Sequence, residues 1–145
     1  MIKIFTENQI DELMDFWLDN IKKTNDFVGA KYWEDLSANF RENYLPESET
    51  YIYEDEGKIA AFISIIEDGA IVSFFVGQPW RDQGIGKQLL DLAKSKYKIL
   101  DISIYKKNQG AIEYFANRGF KVLYEQNDVN TGEAEYFMRW RNDDI

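Results

Sequence analysis

Seven consecutive residues, Arg81-Asp82-Gln83-Gly84-Ile85-Gly86-Lys87, combine two glycines with two cations. They stand between a β-type run that ends at Val76 and a helical pattern that opens near Gly84. Glycines let backbone approach a ligand closely and accept positive φ. The first turn of a helix presents unpaired N–H groups and partial positive charge, which together make an anion site. Each dipole contact is worth roughly 0.3–1 kcal/mol when exposed, so affinity comes from several converging amides. Arg81 and Lys87 add charge-assisted donors. The segment is either an anion cradle or a tight strand-to-helix turn. Two familiar anion motifs do not fit. A dinucleotide fingerprint needs glycine where Leu89 stands, and a P-loop needs glycine at Arg81 and Ser or Thr at Gln88.

What the chain lacks narrows the chemistry further. Its 145 residues include no Cys and no His. Disulfides, thiol nucleophiles and thiolate metal sites are excluded, as are Ser-His-Asp arrangements and most zinc sites. Carboxylates, hydroxyls, phenols, lysines, backbone groups or a borrowed cofactor must do the work, with no metal expected. The net charge of −9 is unevenly placed: residues 1–75 hold 6 Lys/Arg against 16 Asp/Glu, and residues 76–145 hold 11 against 10. No concentrated basic face favours nucleic acid. No apolar run approaches a membrane span and the start is not a signal peptide, so a cytoplasmic protein with no membrane partner is expected.

The elements that must position these groups follow from periodicity. Residues 2–6 read as a strand, and Thr6-Glu7-Asn8-Gln9 has the form of a capping box. Ile10, Leu13, Met14, Trp17 and Ile21 then share one helical face. A second amphipathic helix is predicted over 30–44, ahead of Pro46. Strands over 50–54, 58–66 and 70–76, separated by Glu56-Gly57 and Asp68-Gly69, make an antiparallel meander. A helix over 84–98, a strand over 99–105, a helix over 109–117 closed by Gly119, and strands over 121–126 and 135–141 complete the chain. The fold class is mixed α/β, a central sheet of about seven strands in the order β-α-α-β-β-β-α-β-α-β-β, and residues 1–145 read as a single domain.

The stretch Phe75-Val76-Gly77-Gln78-Pro79-Trp80-Arg81-Asp82-Gln83-Gly84-Ile85-Gly86-Lys87-Gln88-Leu89-Leu90 resembles the acetyl-CoA motif of the GNAT N-acetyltransferases, whose core is (Gln/Arg)-x-x-Gly-x-(Gly/Ala). A second match follows: Asn108-x-x-Ala111-x-x-Tyr114-Phe115-x-x-x-Gly119-Phe120 is similar to the family's Asn-x-x-Ala-x-x-Phe-Tyr-x-x-x-Gly-Phe. The element order agrees across essentially the whole chain, and the N-terminal part resembles small single-domain bacterial members. The resemblance implies a GNAT-like sheet with acetyl-CoA as co-substrate. The backbone of Phe75 and Val76 would meet the pantetheine arm and the thioester carbonyl. Amides of Gln83, Gly84, Ile85, Gly86 and Lys87, with Arg81, would hold the pyrophosphate. Asn108 would contact the coenzyme, a role compatible with capping the helix after it, and Phe115 would lie along the pantetheine and thiol.

The chain departs from the family where a general acid is usual. Phe115 occupies the tyrosine position, and Tyr114, about 100° around the helix, does not simply replace that phenol. A thiol of pKa near 8.5 is already an acceptable leaving group, so the loss is tolerable. Tyr105 is the candidate catalytic hydroxyl, sharing with Ser103 the strand face opposite Ile102 and Ile104. It reads equally as an aromatic packed at the strand end. Glu54, Glu67, Glu133 and Glu135 are candidate proton relays or surface charges. The family resemblance implies a histidine just before Phe27, where this chain has Asn25-Asp26. The expectation is direct transfer of acetyl from acetyl-CoA to a small-molecule or peptide amine, with an acidic N-terminal half suited to a cationic acceptor. The alternative is an acetyl-CoA-binding sensor with little catalysis. Monomer and homodimer both stay open.

Overall fold

The structure is a computed structural model that describes residues 1–142. Strands β1 (Ile2–Ile4), β2 (Glu49–Asp55), β3 (Lys58–Ile66), β4 (Ala70–Val76), β5 (Ile99–Tyr105), β6 (Lys121–Asn127) and β7 (Ala134–Arg141) form a seven-stranded sheet in the order β1-β2-β3-β4-β5-β7-β6. Four helices, α1 (Ile10–Thr24), α2 (Ala30–Asn39), α3 (Ile85–Lys96) and α4 (Gln109–Ala116), cover it. The order of elements is the one the sequence predicts. The placement of β7 between β5 and β6 has no local signal.

β3 shows why both faces of the sheet are covered. Its residues from Ile59 to Ile65 are all buried. Alternation sends Ala61, Ile63 and Ile65 to the cluster that holds Leu89 and Leu90 of α3, and Phe62 to the cluster that holds Leu13 and Trp17 of α1. The second cluster is fastened by Trp17 stacked on Phe40, their ring centroids 5.0 Å apart. Glu12 of α1 accepts a hydrogen bond from the Ile59 amide at 2.8 Å, tying the helix to the start of β3.

Several boundaries differ from the sequence reading for identifiable reasons. The capping box does not form. Thr6 Oγ1 donates to the Asn8 side chain, residues Glu7–Gln9 make a 3₁₀ turn, and α1 starts at Ile10 with no side-chain cap. Gln9 is drawn away to Glu54, 2.7 Å from its Nε2. β1 correspondingly stops at Ile4. The predicted helix over 30–44 is α-helical only to Asn39. It then widens into a π turn, Phe40–Tyr44, that buries Phe40 and ends ahead of Pro46. α3 ends at Lys96, two residues early.

The feature that makes a site is the seam between β4 and β5. These parallel strands register at one pair, Ala70 with Asp101, backed by a hydrogen bond from the Asp101 amide to the Gly69 carbonyl at 2.9 Å. Gly69 has φ +121°, and a Cβ there would strike the Ile99 carbonyl. β5 continues in full antiparallel register with β7, from Ile99–Arg141 to Tyr105–Glu135, braced by a two-pronged ion pair of Arg139 with Asp101 at 2.7 and 3.0 Å. Beyond the apex β4 and β5 diverge, and the sheet opens into a wedge.

Candidate active site

Two hollows meet in this wedge. One, of about 440 Å³, lies on the α3/α4 side, and the other, of about 490 Å³, lies on the α1/α2 side. Phe74, Phe75, Asn108, Ala111 and Phe115 line both, so they form the partition where the hollows communicate.

Backbone alternation decides which β4 groups face the wedge. The Gly77 amide donates to the Ala60 carbonyl at 2.8 Å, and the register pairs Phe75 with Phe62. In an antiparallel ladder every second residue turns its N–H and C=O to the same partner. The Phe75 groups therefore face β3, and those of Phe74 and Val76 face the gap. The Arg81 guanidinium takes up the Val76 carbonyl at 3.1 Å, which leaves the Phe74 groups and the Val76 amide. Phe74 was not singled out by the motif because side-chain identity carries no trace of this alternation.

The α3/α4 hollow gathers Phe75, Val76, Arg81, Gly84, Ile85, Gly86, Lys87, Asn108 and Phe115. Gly84, the residue before α3, is left-handed at φ 79°, and the amides of the first turn emerge beside it. Gln83 is not brought into the lining of this hollow: its side chain turns back and donates to the Pro79 carbonyl at 3.1 Å. Lys87 is held by Asp91 at 2.6 Å. Asn108 caps α4, its Oδ1 accepting from the Ala111 amide at 3.2 Å, which leaves Nδ2 as a donor at the partition.

Phe115 is buried among Phe74, Tyr114 and Phe120, with centroids 5.1–5.5 Å away. It gives the partition an apolar surface and no proton. The Tyr114 hydroxyl points elsewhere. It abuts Gly86, where a Cβ would collide with it, and it has no hydrogen-bond partner. Tyr114 therefore closes the wall of the α3/α4 hollow at the glycine loop.

Tyr105 belongs to the other hollow. Its hydroxyl donates to Asp128 at 2.6 Å, and Phe27 and Trp33 pack edge-on against its ring. Burial and then that hydrogen bond push the phenol well above its ordinary range. Glu135, opposite Tyr105 in the β5–β7 register, lines the same hollow and accepts from Gln126 Nε2 at 2.9 Å. Burial raises its carboxyl pKa, opposed by that bond and reinforced by the charge of Asp128. The other candidate relays lie elsewhere: Glu54 is paired with Lys3 at 2.9 Å, Glu133 with Lys107 at 3.1 Å, and Glu67 is in the β3–β4 turn. Ser103 lines the hollow as well.

The two hollows are oppositely charged. The α1/α2 hollow is lined by Asp128 and Glu135, and by Asp101, whose charge Arg139 neutralises, and by no described Lys or Arg. The α3/α4 hollow is lined by Arg81, Lys87 and Arg118 against Asp82 alone. Asp128 was missed in the sequence because an aspartate beside Asn130-Thr131-Gly132 reads as a turn former. It is one, accepting from the Asn130 amide at 2.8 Å.

The family model for the acetyltransferase (GNAT) domain matches residues 13–141. The chain belongs to the GNAT acetyltransferase family. It is 28% identical over 140 residues to peptidyl-lysine N-acetyltransferase YiaC of Escherichia coli strain K12, with 97% of this chain and 96% of the relative covered. Peptidyl-lysine N-acetyltransferase YjaB of the same strain is 25% identical over 112 residues, covering 77% of this chain and 76% of that one. The solution structure of apo-form YjaB from Escherichia coli superposes with a TM-score of 0.81 at 22% identity, covering 97% and 96% of the two chains. An aminoglycoside 6′-N-acetyltransferase complexed with coenzyme A superposes at 0.74 and 15% identity, over 100% of this chain and 98% of the other.

A GNAT domain takes acetyl-CoA as co-substrate and an amine as acceptor, and the α3/α4 hollow of this GNAT protein fits the donor. The fit rests on the unpaired β4 edge, the first-turn amides of α3 and three cations. Among the described residues no cluster of carboxylates could hold a metal ion, and no helix is long and apolar enough to cross a membrane.

Proposed function

We propose that this GNAT protein acetylates a cationic primary amine, foremost a lysine side chain presented by a peptide, and that the donor lies on the α3/α4 side and the acceptor on the α1/α2 side of the wedge. The opposite charge of the two hollows carries this reading: the polyphosphate of a coenzyme suits Arg81, Lys87 and Arg118, and an ammonium suits Asp128 and Glu135. The names of YiaC and YjaB, both peptidyl-lysine N-acetyltransferases, point to the same acceptor class.

Acetyl-CoA supplies an acyl group already activated as a thioester. The unpaired Val76 amide would polarise its carbonyl, the Phe74 groups would pair with the pantetheine arm, and the apolar rings of Phe74, Phe75 and Phe115 keep water from it. Asp128 and Glu135 draw in the ammonium, and Glu135 accepts the proton the amine must lose before its lone pair can attack. Tyr105 serves from the acceptor side by holding Asp128 in place through its hydroxyl. As the intermediate collapses the nitrogen gives up its second proton to water, and the sulfur leaves as thiolate and takes a proton back from water, so Phe115 costs the reaction little. No residue is acylated. Residues 1–145 act as one catalytic domain, and a cytoplasmic location suits a peptide-lysine acceptor.

The test is release of coenzyme A, followed with a thiol reagent, across lysine peptides, diamines and amino sugars. The enzyme itself has no cysteine, so the background is silent. Acetyl-CoA-dependent release with lysine peptides supports the reading. Calorimetric binding of acetyl-CoA with no release on any amine would instead mark an acetyl-CoA sensor.

A further inference from the structure

The two edges of the sheet are finished differently. β1, at one end, is only three residues long, and its Lys3 ammonium is held by Glu54 at 2.9 Å. Shortness and charge are usual protections of an edge. β6, at the other end, is seven residues long and, among the described residues, pairs with β7 alone. Every one of its residues is exposed, so both of its faces lie open. The outer backbone groups of β6 meet solvent together with the side chains of Val122, Leu123 and Tyr124, which are 45%, 50% and 50% exposed. Tyr124 turns one flat face outward, because Phe137 is stacked on the other with centroids 4.9 Å apart. A contiguous apolar run on an open edge, flanked by charge, has the form of a pairing surface.

Charge identifies the partner. Lys121 stands opposite Arg139 in the β6–β7 register, a like charge whose guanidinium is itself held by Asp101. Among the described residues Lys121 has no ion-pair partner. Glu125, at the other end of the run, keeps an exposed carboxylate even with Lys106 at 3.2 Å. The run Lys121-Val122-Leu123-Tyr124-Glu125 complements itself when laid antiparallel on a second copy about Leu123. Lys121 then meets Glu125 twice, Val122 meets Tyr124 twice, and Leu123 meets itself. Opposite-charge and aromatic–β-branched cross-strand pairs are the favourable ones. Neighbouring registers lose this match. Centring on Val122 sets Lys121 on Leu123, and centring on Tyr124 sets Leu123 on Glu125 and Val122 on Gln126. A strand from an unrelated protein would call for no such self-complementarity.

We propose that β6 is a homodimer surface, on which two copies join antiparallel, edge to edge, about a two-fold axis at Leu123. β6 bulges at Leu123, the extra residue between the Val122–Met138 and Tyr124–Phe137 pairs, so the strand twists most where the axis passes. The dimer is independent of which hollow takes the donor and which the acceptor.

Analytical ultracentrifugation of the whole protein up to about 1 mM, enough to populate a weak interface of small area, tests it. The wild type is expected to show a reversible monomer–dimer equilibrium. Lys121→Glu and Glu125→Lys are each expected to weaken dimerisation about tenfold or more, because each sets like charges face to face in both symmetry-related pairs. Mixing the two variants is expected to restore a heterodimer, since one then offers two glutamates and the other two lysines. A wild type that stays monomeric at every concentration overturns the proposal and makes the bulge and Lys121 guards of the edge. A dimer that both variants retain, or folded variants that mixing fails to rescue, overturns the pairing as well. The wild-type measurement stands even if a variant fails to fold.

Discussion

Gly86→Ala is expected to lower affinity for acetyl-CoA at least tenfold and to reduce the melting temperature by about 3–10 °C. The added Cβ collides with the buried Tyr114 hydroxyl and comes within 3.3 Å of the Tyr114 and Phe74 rings. Tyr114 cannot swing aside easily, because Arg118 is stacked on its other face and Phe74 and Phe115 pack around it. Overpacking of this kind costs about 1–3 kcal/mol, and for a chain of this size each kcal/mol shifts melting by roughly 2–4 °C. The affinity loss arises because the first turn of α3 must move to relieve the collision, and its amides then no longer converge. Adding Tyr114→Phe removes the hydroxyl and leaves only the 3.3 Å contacts, so the double variant should recover about half of the lost melting temperature. Unchanged melting and unchanged acetyl-CoA affinity in Gly86→Ala would show that the loop is not held against α4.

The second large effect is expected at Glu135. Glu135→Gln should cut kcat for a lysine-peptide acceptor about 10²-fold, the lower end of what a general base contributes, without lowering the melting temperature at neutral pH. The two halves of this expectation come from one fact. Burial raises the Glu135 carboxyl pKa above its usual 4.5, so holding the charged form is unfavourable to the fold. A carboxyl whose folded pKa lies above its unfolded one contributes stability below the unfolded pKa and loses it as pH rises through the folded value. At neutral pH the charge is therefore a burden that glutamine removes, and the glutamine carbonyl can still accept from Gln126. Activity runs the other way and is lost as pH falls through the raised pKa. Asp128→Asn should act on KM instead, since Asp128, anchored by Tyr105, is the carboxylate proposed to attract the ammonium. A Glu135→Gln variant with wild-type kcat would remove Glu135 from the proton path.

How much of this was written in the residue pattern varies with the range of the interaction. The element order was legible because apolar period, turn dipeptides and Gly119 are local signals. So was the glycine loop, which lies on consecutive residues, and so was the double reading of Asn108, which caps α4 and lines both hollows. Thr6 had the right residues for a cap, but its hydroxyl found Asn8 and Gln9 found Glu54. The tertiary partner won. The wedge was not legible, because it depends on where two strands 30 residues apart stop pairing, at Ala70 and Asp101. Nor was the acidic hollow, which assembles Asp101 from β5, Asp128 from a turn and Glu135 from β7. The charge count placed the acidity in the N-terminal half, and that half does supply Trp33, Phe40 and Tyr44 as aromatic lining. The carboxylates that line the hollow come from the other half. Tyr105 was found by strand alternation, and only the fold showed that its hydroxyl belongs to Asp128.

The central claim is that one wedge separates a donor hollow of positive charge from an acceptor hollow of negative charge. The most direct measurement is a competition in one tube. Two peptides of equal length, each with a single central lysine, are mixed in equal amounts with the protein and limiting acetyl-CoA, one flanked by arginines and the other by glutamates, and acetyl incorporation into each is read by mass spectrometry. The account predicts acetylation of the arginine-flanked peptide at least tenfold above the other, with the preference shrinking as salt rises. Equal acetylation, or preference for the glutamate-flanked peptide, would contradict it.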